Sequence, residues 1–323
     1  MLATVITVGP REAAMAMPGM AYFEGRYVPI QDAKLSILEP AITKSDIVFD
    51  VVSTWDRVFF RLEDHLDRFE NSYKHVKIKP PVSRDEMRTI SAELVDRSGL
   101  DNSCVYMCAT RGLYAGGAAF GDPRNAVNGF YAYVVPYYWV IPKEHAETGG
   151  HLWIASVRRA PSEAINQKVK NFNRMDLTAG QFEALEHGAD APILLSTTGK
   201  LTEGPGFNVW IVRGKKLLTP GKDLLEGVTR KTVFELAQES GFEPVATELT
   251  ADDLLEAKEV FISSTAGGVL PITRVNDQAV GNGAPGITTG QLQKRYWEKR
   301  KRGWHGTPVD SLLVSRREKV PAE

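Results

Sequence analysis

A lysine, a carboxylate and two hydroxyl-bearing stretches of backbone follow one another in an order suited to carbonyl and phosphate chemistry. Lys170, in Gln167-Lys168-Val169-Lys170-Asn171-Phe172-Asn173, stands at the edge of an apolar segment that opens a helical pattern. Alone it is a weak signal, because most lysines are solvated surface residues. About thirty residues later, Leu201-Thr202-Glu203-Gly204-Pro205-Gly206-Phe207-Asn208 puts a carboxylate on a tight turn feeding a strand. Gly227-Val228-Thr229-Arg230-Lys231 then opens a helix, whose first backbone N–H groups and hydroxyl suit phosphate. Ser263-Ser264-Thr265-Ala266-Gly267-Gly268, after the apolar Val260-Phe261-Ile262, is a second hydroxyl-and-amide cradle. An amine, an acid and two anion cradles are together what a pyridoxal phosphate site requires.

Other motif-shaped features read as plain structure. Gly281, Gly283 and Gly286 spell GxGxxG, but Pro285 lies inside it and the strand-to-helix setting of a dinucleotide site is missing. The basic run Lys294, Arg295 and Lys299 to Arg302, interleaved with Tyr296, Trp297 and Trp304, reads as a solvated helix face. The six histidines show no metal-ligand spacing, and His65 lies among Leu62, Leu66 and Phe69 as a structural residue. No metal is expected.

The 323 residues carry 39 Lys+Arg against 40 Asp+Glu, a formal charge of −1, which argues against a general nucleic-acid or anionic-membrane binder. With 43% hydrophobic and 24% charged residues the chain is neither disordered nor fibrous. Cys104 and Cys108 make no disulfide framework, so a reducing, cytoplasmic setting is expected. The opening twenty residues lack a signal-peptide profile, and the longest apolar run, Phe130 to Pro142, is too short to span a membrane and broken by Pro136.

The elements that must hold these groups can be read from periodicity. A hairpin is expected from Ala21 to Val28 and a second β pair from Ile47 to Phe60, turning at Asp56-Arg57. Leu62, Leu66, Phe69, Tyr73 and Val76 keep helical spacing; Ser83 with Glu86 is a capping box for the next helix, closed by Gly99. Strands Val105 to Thr110 and Phe130 to Tyr138 flank a glycine-rich loop, Gly112 to Gly121. Further strands and helices alternate to a last helix from about Thr288, and the tail from Gly306 reads as unpatterned. This is an α+β chain of two domains: a small one over 1–140 with an irregular segment 1–20, a linker at 141–150, and a larger one over 151–323.

With these motifs in this order, the chain resembles the fold-type IV pyridoxal-phosphate aminotransferases. That family includes branched-chain and D-amino-acid aminotransferases, (R)-selective amine transaminases and aminodeoxychorismate lyases. The likeness runs from about Ala21 to Trp297, includes an HxxR element at His65-Leu66-Asp67-Arg68, and is strongest to the (R)-selective branch. It implies a small N-terminal α/β domain, a β-rich larger one, and pyridoxal 5'-phosphate in the cleft between them. It further implies that Lys170 forms the Schiff base and carries the substrate proton in a ping-pong transfer between an amine or amino acid and a 2-keto acid. By the same resemblance Glu203 faces the pyridine nitrogen, Arg68 pairs with the phosphate, and Val228, Thr229 and Thr265 complete the phosphate cup. The family's homodimer, with the loop around Tyr114 to Phe120 completing the neighbouring subunit's pocket, is implied as well.

In the substrate pocket the chain departs from that branch. Lys44 replaces a histidine, Phe49 a tyrosine, Tyr106 a glutamate and Arg174 a tryptophan, with Ala266 completing the pocket; the loop Gly112 to Ala118 lacks the arginine that holds a keto-acid carboxylate. Arg174, Lys44 or Arg124 is therefore expected to read a carboxylate instead, a guanidinium being better suited than an ammonium. The rivals are a branched-chain or D-amino-acid aminotransferase, favoured by Phe49, and a lyase that keeps the same lysine and cup.

Overall fold

The computed structural model describes residues 17–114 and 121–317, and among them two sheets carry the chain. The first is built from β1 (Met20–Phe23), β2 (Arg26–Pro29), β3 (Ile47–Trp55), β4 (Val58–Phe60), β5 (Ser103–Thr110) and β6 (Gly129–Pro136), all pairing antiparallel. The β1–β2 and β3–β4 hairpins turn where the sequence places them, at Glu24-Gly25 and Asp56-Arg57.

The period of two decides what β3 does. Val48 and Val52 face the core under helices α1 (Leu62–His75) and α2 (Arg84–Ser98), together with Val105, Met107, Ala109, Ala132 and Val134. Ile47, Phe49 and Val51 face the opposite way, against Cys104, Tyr106, Cys108, Tyr131 and Tyr133. Neighbouring Phe49 and Asp50 thus point to different sides of one sheet. Helix α2 starts on the expected capping box of Ser83 and Glu86 and ends at Gly99 in the left-handed region, φ 68°. Both thiols are buried, and burial pushes each up to about 12.

The second sheet runs through β7 (Gly150–Arg158), β8 (Ala191–Leu195), β9 (Glu203–Gly204), β10 (Phe207–Arg213), β11 (Lys216–Pro220), β12 (Glu243–Thr247), β13 (Val260–Ser264), β14 (Gly268–Val275) and β15 (Gln278–Ala279). The β11–β12, β14–β7 and β7–β8 pairs are parallel, the rest antiparallel. Helices α3 (Met175–Glu186), α4 (Val228–Glu239) and α5 (Ile287–Lys301) accompany it.

Two expectations need correcting. The tail does not run on unpatterned: β16 (Gly306–Pro308) adds to β4 at the edge of the first sheet, and α6 (Val309–Arg317) follows it, Val309 entering that core. Residues assigned by sequence to the larger unit 151–323 therefore complete the smaller one. Val309 is buried in that core with Leu312 and Leu313 packed against it, the i, i+3, i+4 spacing of a helix face that the reading of the tail as unpatterned overlooked. The basic face of α5 is also not wholly solvated. Lys299 pairs with Glu239 at 2.7 Å, but Arg300 is buried, bonded to Ser53 Oγ at 3.0 Å and lying over Phe60 and Trp297. The glycines 281, 283 and 286 occupy the expected loop ahead of α5. No helix of the described residues is long and apolar enough to cross a membrane, and none of their acidic, histidine and cysteine side chains cluster to hold a metal ion. Residues 115–120 of the glycine-rich loop and residues 1–16 lie outside the described part.

Candidate active site

Lys170 is placed by backbone pairing to β3. Its carbonyl accepts from Phe49 N–H at 2.9 Å, its own N–H donates to Ser72 Oγ at 3.2 Å, and Asn171 bridges to Val48. The side chain enters a cleft of about 350 Å³ lined also by Phe49, Arg68, Tyr106, Phe172, Arg174, Glu203, Thr229, Thr265 and Ala266. Lys170 Nζ sits 4.5 Å from the Phe49 ring centroid, with no carboxylate among the described residues at ion-pair distance. Burial, then the nearby Arg174 and Arg68 cations, pulls its pKa well below the ordinary lysine value, which favours the neutral amine.

Glu203 opens β9 opposite Asn208 of β10, 3% exposed. Arg159, which sequence reading missed, donates to its Oε1 from Nη2 at 3.1 Å, and Leu225 N–H donates to Oε2 at 3.0 Å. Arg159 also reaches Asp176 at 2.6 Å and Gln167. Its only sequence signal is position, since an arginine just past a strand looks solvated.

Arg68 is held from the other side of β3. Asp50, fully buried, accepts from Arg68 Nε at 2.8 Å and Nη2 at 2.9 Å and lies 2.7 Å from His65 Nδ1, while Arg68 Nη1 donates to Glu226 O. This explains the HxxR spacing: residues three apart on α1 share one face and meet one carboxylate. Burial alone would raise the Asp50 pKa; Arg68 and His65 reverse that and hold it far below the carboxylate range. A folded-state value below the unfolded one, about 3.9, means this stabilisation is complete above roughly pH 5 and is lost only as pH falls through the folded value. Asp50→Asn strands a half-buried guanidinium and should cost about 3 kcal/mol in urea unfolding; an unchanged midpoint would count against the pairing.

The two anion cradles converge here as well. Helix α4 starts at Gly227 with no side-chain cap, leaving the Val228 and Thr229 N–H groups without intrahelical acceptors. A Cβ at Gly227 would lie 2.3 Å from Asn208 Oδ1, so only glycine lets the turn close there. Across the cleft the turn 265–267 is tied down by Tyr137, whose hydroxyl donates to Thr265 O at 3.1 Å and accepts from Gly267 N–H at 2.7 Å. The Thr229 and Thr265 hydroxyls have no hydrogen-bond partner among the described residues.

Of the three cations expected to read a carboxylate, the structure brings one to the cleft. Arg124 is exposed and paired with Asp122. Lys44 is exposed too, on a neighbouring pocket with Asp46 and His75, and its Nζ lies 3.3 Å from the Tyr114 hydroxyl. Both stand on loops flanking β3 and β5, and neither is among the residues that line the described cleft with Lys170. Arg174, at the entrance to α3, does line the cleft, its guanidinium carbon 5.5 Å from the Phe49 ring centroid, and no carboxylate of the described residues pairs with it.

Comparison with known proteins gives the family. A family model described as amino-transferase class IV matches residues 47–275. The chain belongs to the class IV aminotransferases. Among curated relatives, a putative branched-chain-amino-acid aminotransferase of Methanocaldococcus jannaschii is 31% identical over 282 residues, covering 86% of this chain and 96% of the relative. A D-alanine aminotransferase of Bacillus licheniformis is 28% identical over 273 residues, covering 84% and 93%. Among solved structures, a T.th. branched-chain amino acid aminotransferase with pyridoxamine 5'-phosphate superposes with a TM-score of 0.82 at 27% identity, covering 90% of this chain and 99% of that one.

Class IV aminotransferases use pyridoxal 5'-phosphate, and so does this one. The cleft fits that group on its own chemistry: two unpartnered threonine hydroxyls and free helix-terminal N–H groups suit a phosphate, a buried carboxylate suits a ring nitrogen, and an uncompensated amine suits an aldehyde.

Proposed function

We propose that this aminotransferase moves an amino group between a 2-amino acid and a 2-keto acid in two half-reactions. The observation that carries this is Arg174: a half-buried guanidinium inside the cleft, beside Lys170, with no carboxylate of its own among the described residues. A cation so placed is satisfied by the carboxylate of a bound substrate, and its planar fork suits that partner. Simple (R)-amines, the donors of the branch that the sequence most resembles, lack the group that would pair with it.

In this reading Arg68, Val228, Thr229 and Thr265 hold the cofactor's phosphate and Glu203, held in place by Arg159, faces its ring nitrogen. The bound cofactor supplies an electron sink for the electrons released when the substrate α-hydrogen leaves. Lys170 takes that proton as the neutral amine and returns it on the same face, which fixes chirality. Arg174 orients the substrate so that the α-hydrogen meets Nζ. A branched-chain type of enzyme is favoured by Phe49 and by the named relatives, and is separated from a D-amino-acid type by which enantiomer reacts.

We also propose a homodimer, cytoplasmic, with the segment 141–150 linking its two units. Exposed Ile37 and Ile42 precede β3 and exposed Leu113 follows β5, at the end of that strand pair where Ile47 faces Thr110, and apolar side chains gathered there support an interface. Sedimentation should give twice the chain mass.

The direct test is the visible absorbance of the yellow protein while single donors are added: L-leucine, D-alanine, L-glutamate, and (R)- and (S)-1-phenylethylamine. Bleaching by one amino-acid enantiomer supports the reading; bleaching by (R)-amine alone overturns it in favour of an amine transaminase. Arg174→Leu should raise KM for 2-keto acids by about 10- to 100-fold, the worth of a charge-assisted hydrogen bond. An unchanged KM would remove Arg174 from substrate binding.

A further inference from the structure

Building on that reading, we infer that the substrate pair carries one carboxylate, held by Arg174, and a neutral aromatic side chain laid along a wall of rings beside it. The charge balance gives the first half. Arg68 is committed to Asp50 and Arg159 to Glu203 and Asp176, which leaves Arg174 as the cation of the described cleft free to neutralise a carboxylate. The segment Ala115 to Phe120 carries no charged side chain in the sequence. A second substrate carboxylate would lie against aromatic carbon without a counter-ion, which a buried charge does not tolerate.

The wall gives the second half. Phe172 stacks on Phe49 at 4.4 Å and 11°, Phe49 lies parallel to Tyr106 at 6.4 Å and 7°, and Tyr106 stacks on Tyr133 at 4.6 Å and 8°. Phe49, Tyr106 and Phe172 line the cleft with Val51, Tyr138 and Val140. Rings stacked on one another leave their edges for the cleft, and a flat substrate ring meets such edges with its own face. At the far end the Tyr106 and Tyr138 hydroxyls lie 2.5 Å apart. One donates to the other, so the second keeps its proton for an acceptor on the substrate ring. A phenol or other neutral polar substituent fits that donor better than bare phenyl does.

The experiment uses the dimeric or monomeric protein as purified, loaded with pyridoxamine 5'-phosphate, and follows return of the yellow form with phenylpyruvate, 4-hydroxyphenylpyruvate, pyruvate or 2-oxoglutarate. The arylpyruvates should exceed 2-oxoglutarate in kcat/KM by about 100-fold, because the second carboxylate has no cation. In Tyr138→Phe the ratio of 4-hydroxyphenylpyruvate to phenylpyruvate should fall about fivefold, the worth of one neutral hydrogen bond. Turnover of 2-oxoglutarate equal to or faster than the arylpyruvates overturns the inference while leaving the transaminase reading intact. An unmoved ratio in Tyr138→Phe overturns the role of the hydroxyl pair. If no keto acid restores the yellow form, the transaminase reading itself fails.

Discussion

Replacing Lys170 by alanine is expected to lower kcat by about 10⁴-fold, the upper range for loss of a positioned general acid–base. The effect is large because neither described side chain in ring contact around Lys170 Nζ can take over. Around Lys170 Nζ stand Phe49, which has no exchangeable proton, and Arg174, whose guanidinium stays charged at any working pH. The groups proposed to hold the phosphate are untouched by the substitution, since Arg68, Thr229 and Thr265 come from other elements. The variant should therefore still take up the cofactor, read as its absorbance after gel filtration, while losing both half-reactions. A small primary amine such as methylamine fits the space vacated by the lysine side chain and should restore part of the rate. A variant that keeps more than a tenth of wild-type kcat would remove Lys170 from proton transfer.

Glu203→Gln should lower kcat by about 10²- to 10³-fold with little change in KM, the loss typical of one preorganised charge facing a developing one. The carboxylate is 3% exposed and gripped by Arg159 and by Leu225 N–H, so it cannot swing away or be replaced by water. Glutamine keeps the shape and can still accept from Leu225, but it loses the negative charge. It also leaves Arg159 with Asp176 as its carboxylate partner, so a modest loss of stability should accompany the kinetic one. Stopped-flow traces separate the effects: the proton-transfer step should slow while substrate binding stays close to wild type. Equal rates for the two proteins would place the ring nitrogen elsewhere.

These outcomes rest on features that differ in how openly the sequence displays them. The residues proposed to carry the chemistry were legible because local rules single them out. Glu203 needs a tight turn before a strand, Val228 and Thr229 need an uncapped helix start, and the 265–268 turn needs glycines: Gly267 has φ 130°, and a Cβ at Gly268 would lie 2.4 Å from the Tyr296 ring. Arg68 was legible through its spacing from His65 on one helix. The hairpins, the capping box at Ser83 and the alternation along β3 follow from periodicity over a few residues, where side-chain direction depends on backbone geometry alone.

What tertiary structure decided is the pairing of charges. Asp50 looks in sequence like a break in an apolar strand; only the approach of α1 beneath β3 makes it the anchor of Arg68. Arg159 becomes the partner of Glu203 across a separation of 44 residues. Sequence offered Arg174, Lys44 and Arg124 alike, since all three are polar residues near loops; of these, Arg174 lines the described cleft. The return of β16 to β4 joins residues about 250 apart, a pairing that no pattern over a few residues displays. Sequence by itself determined the kind of chemistry, because that depends on residue type and local backbone shape. The substrate that this chemistry serves is set by distances between groups far apart in the chain, and those exist only once the two sheets have packed.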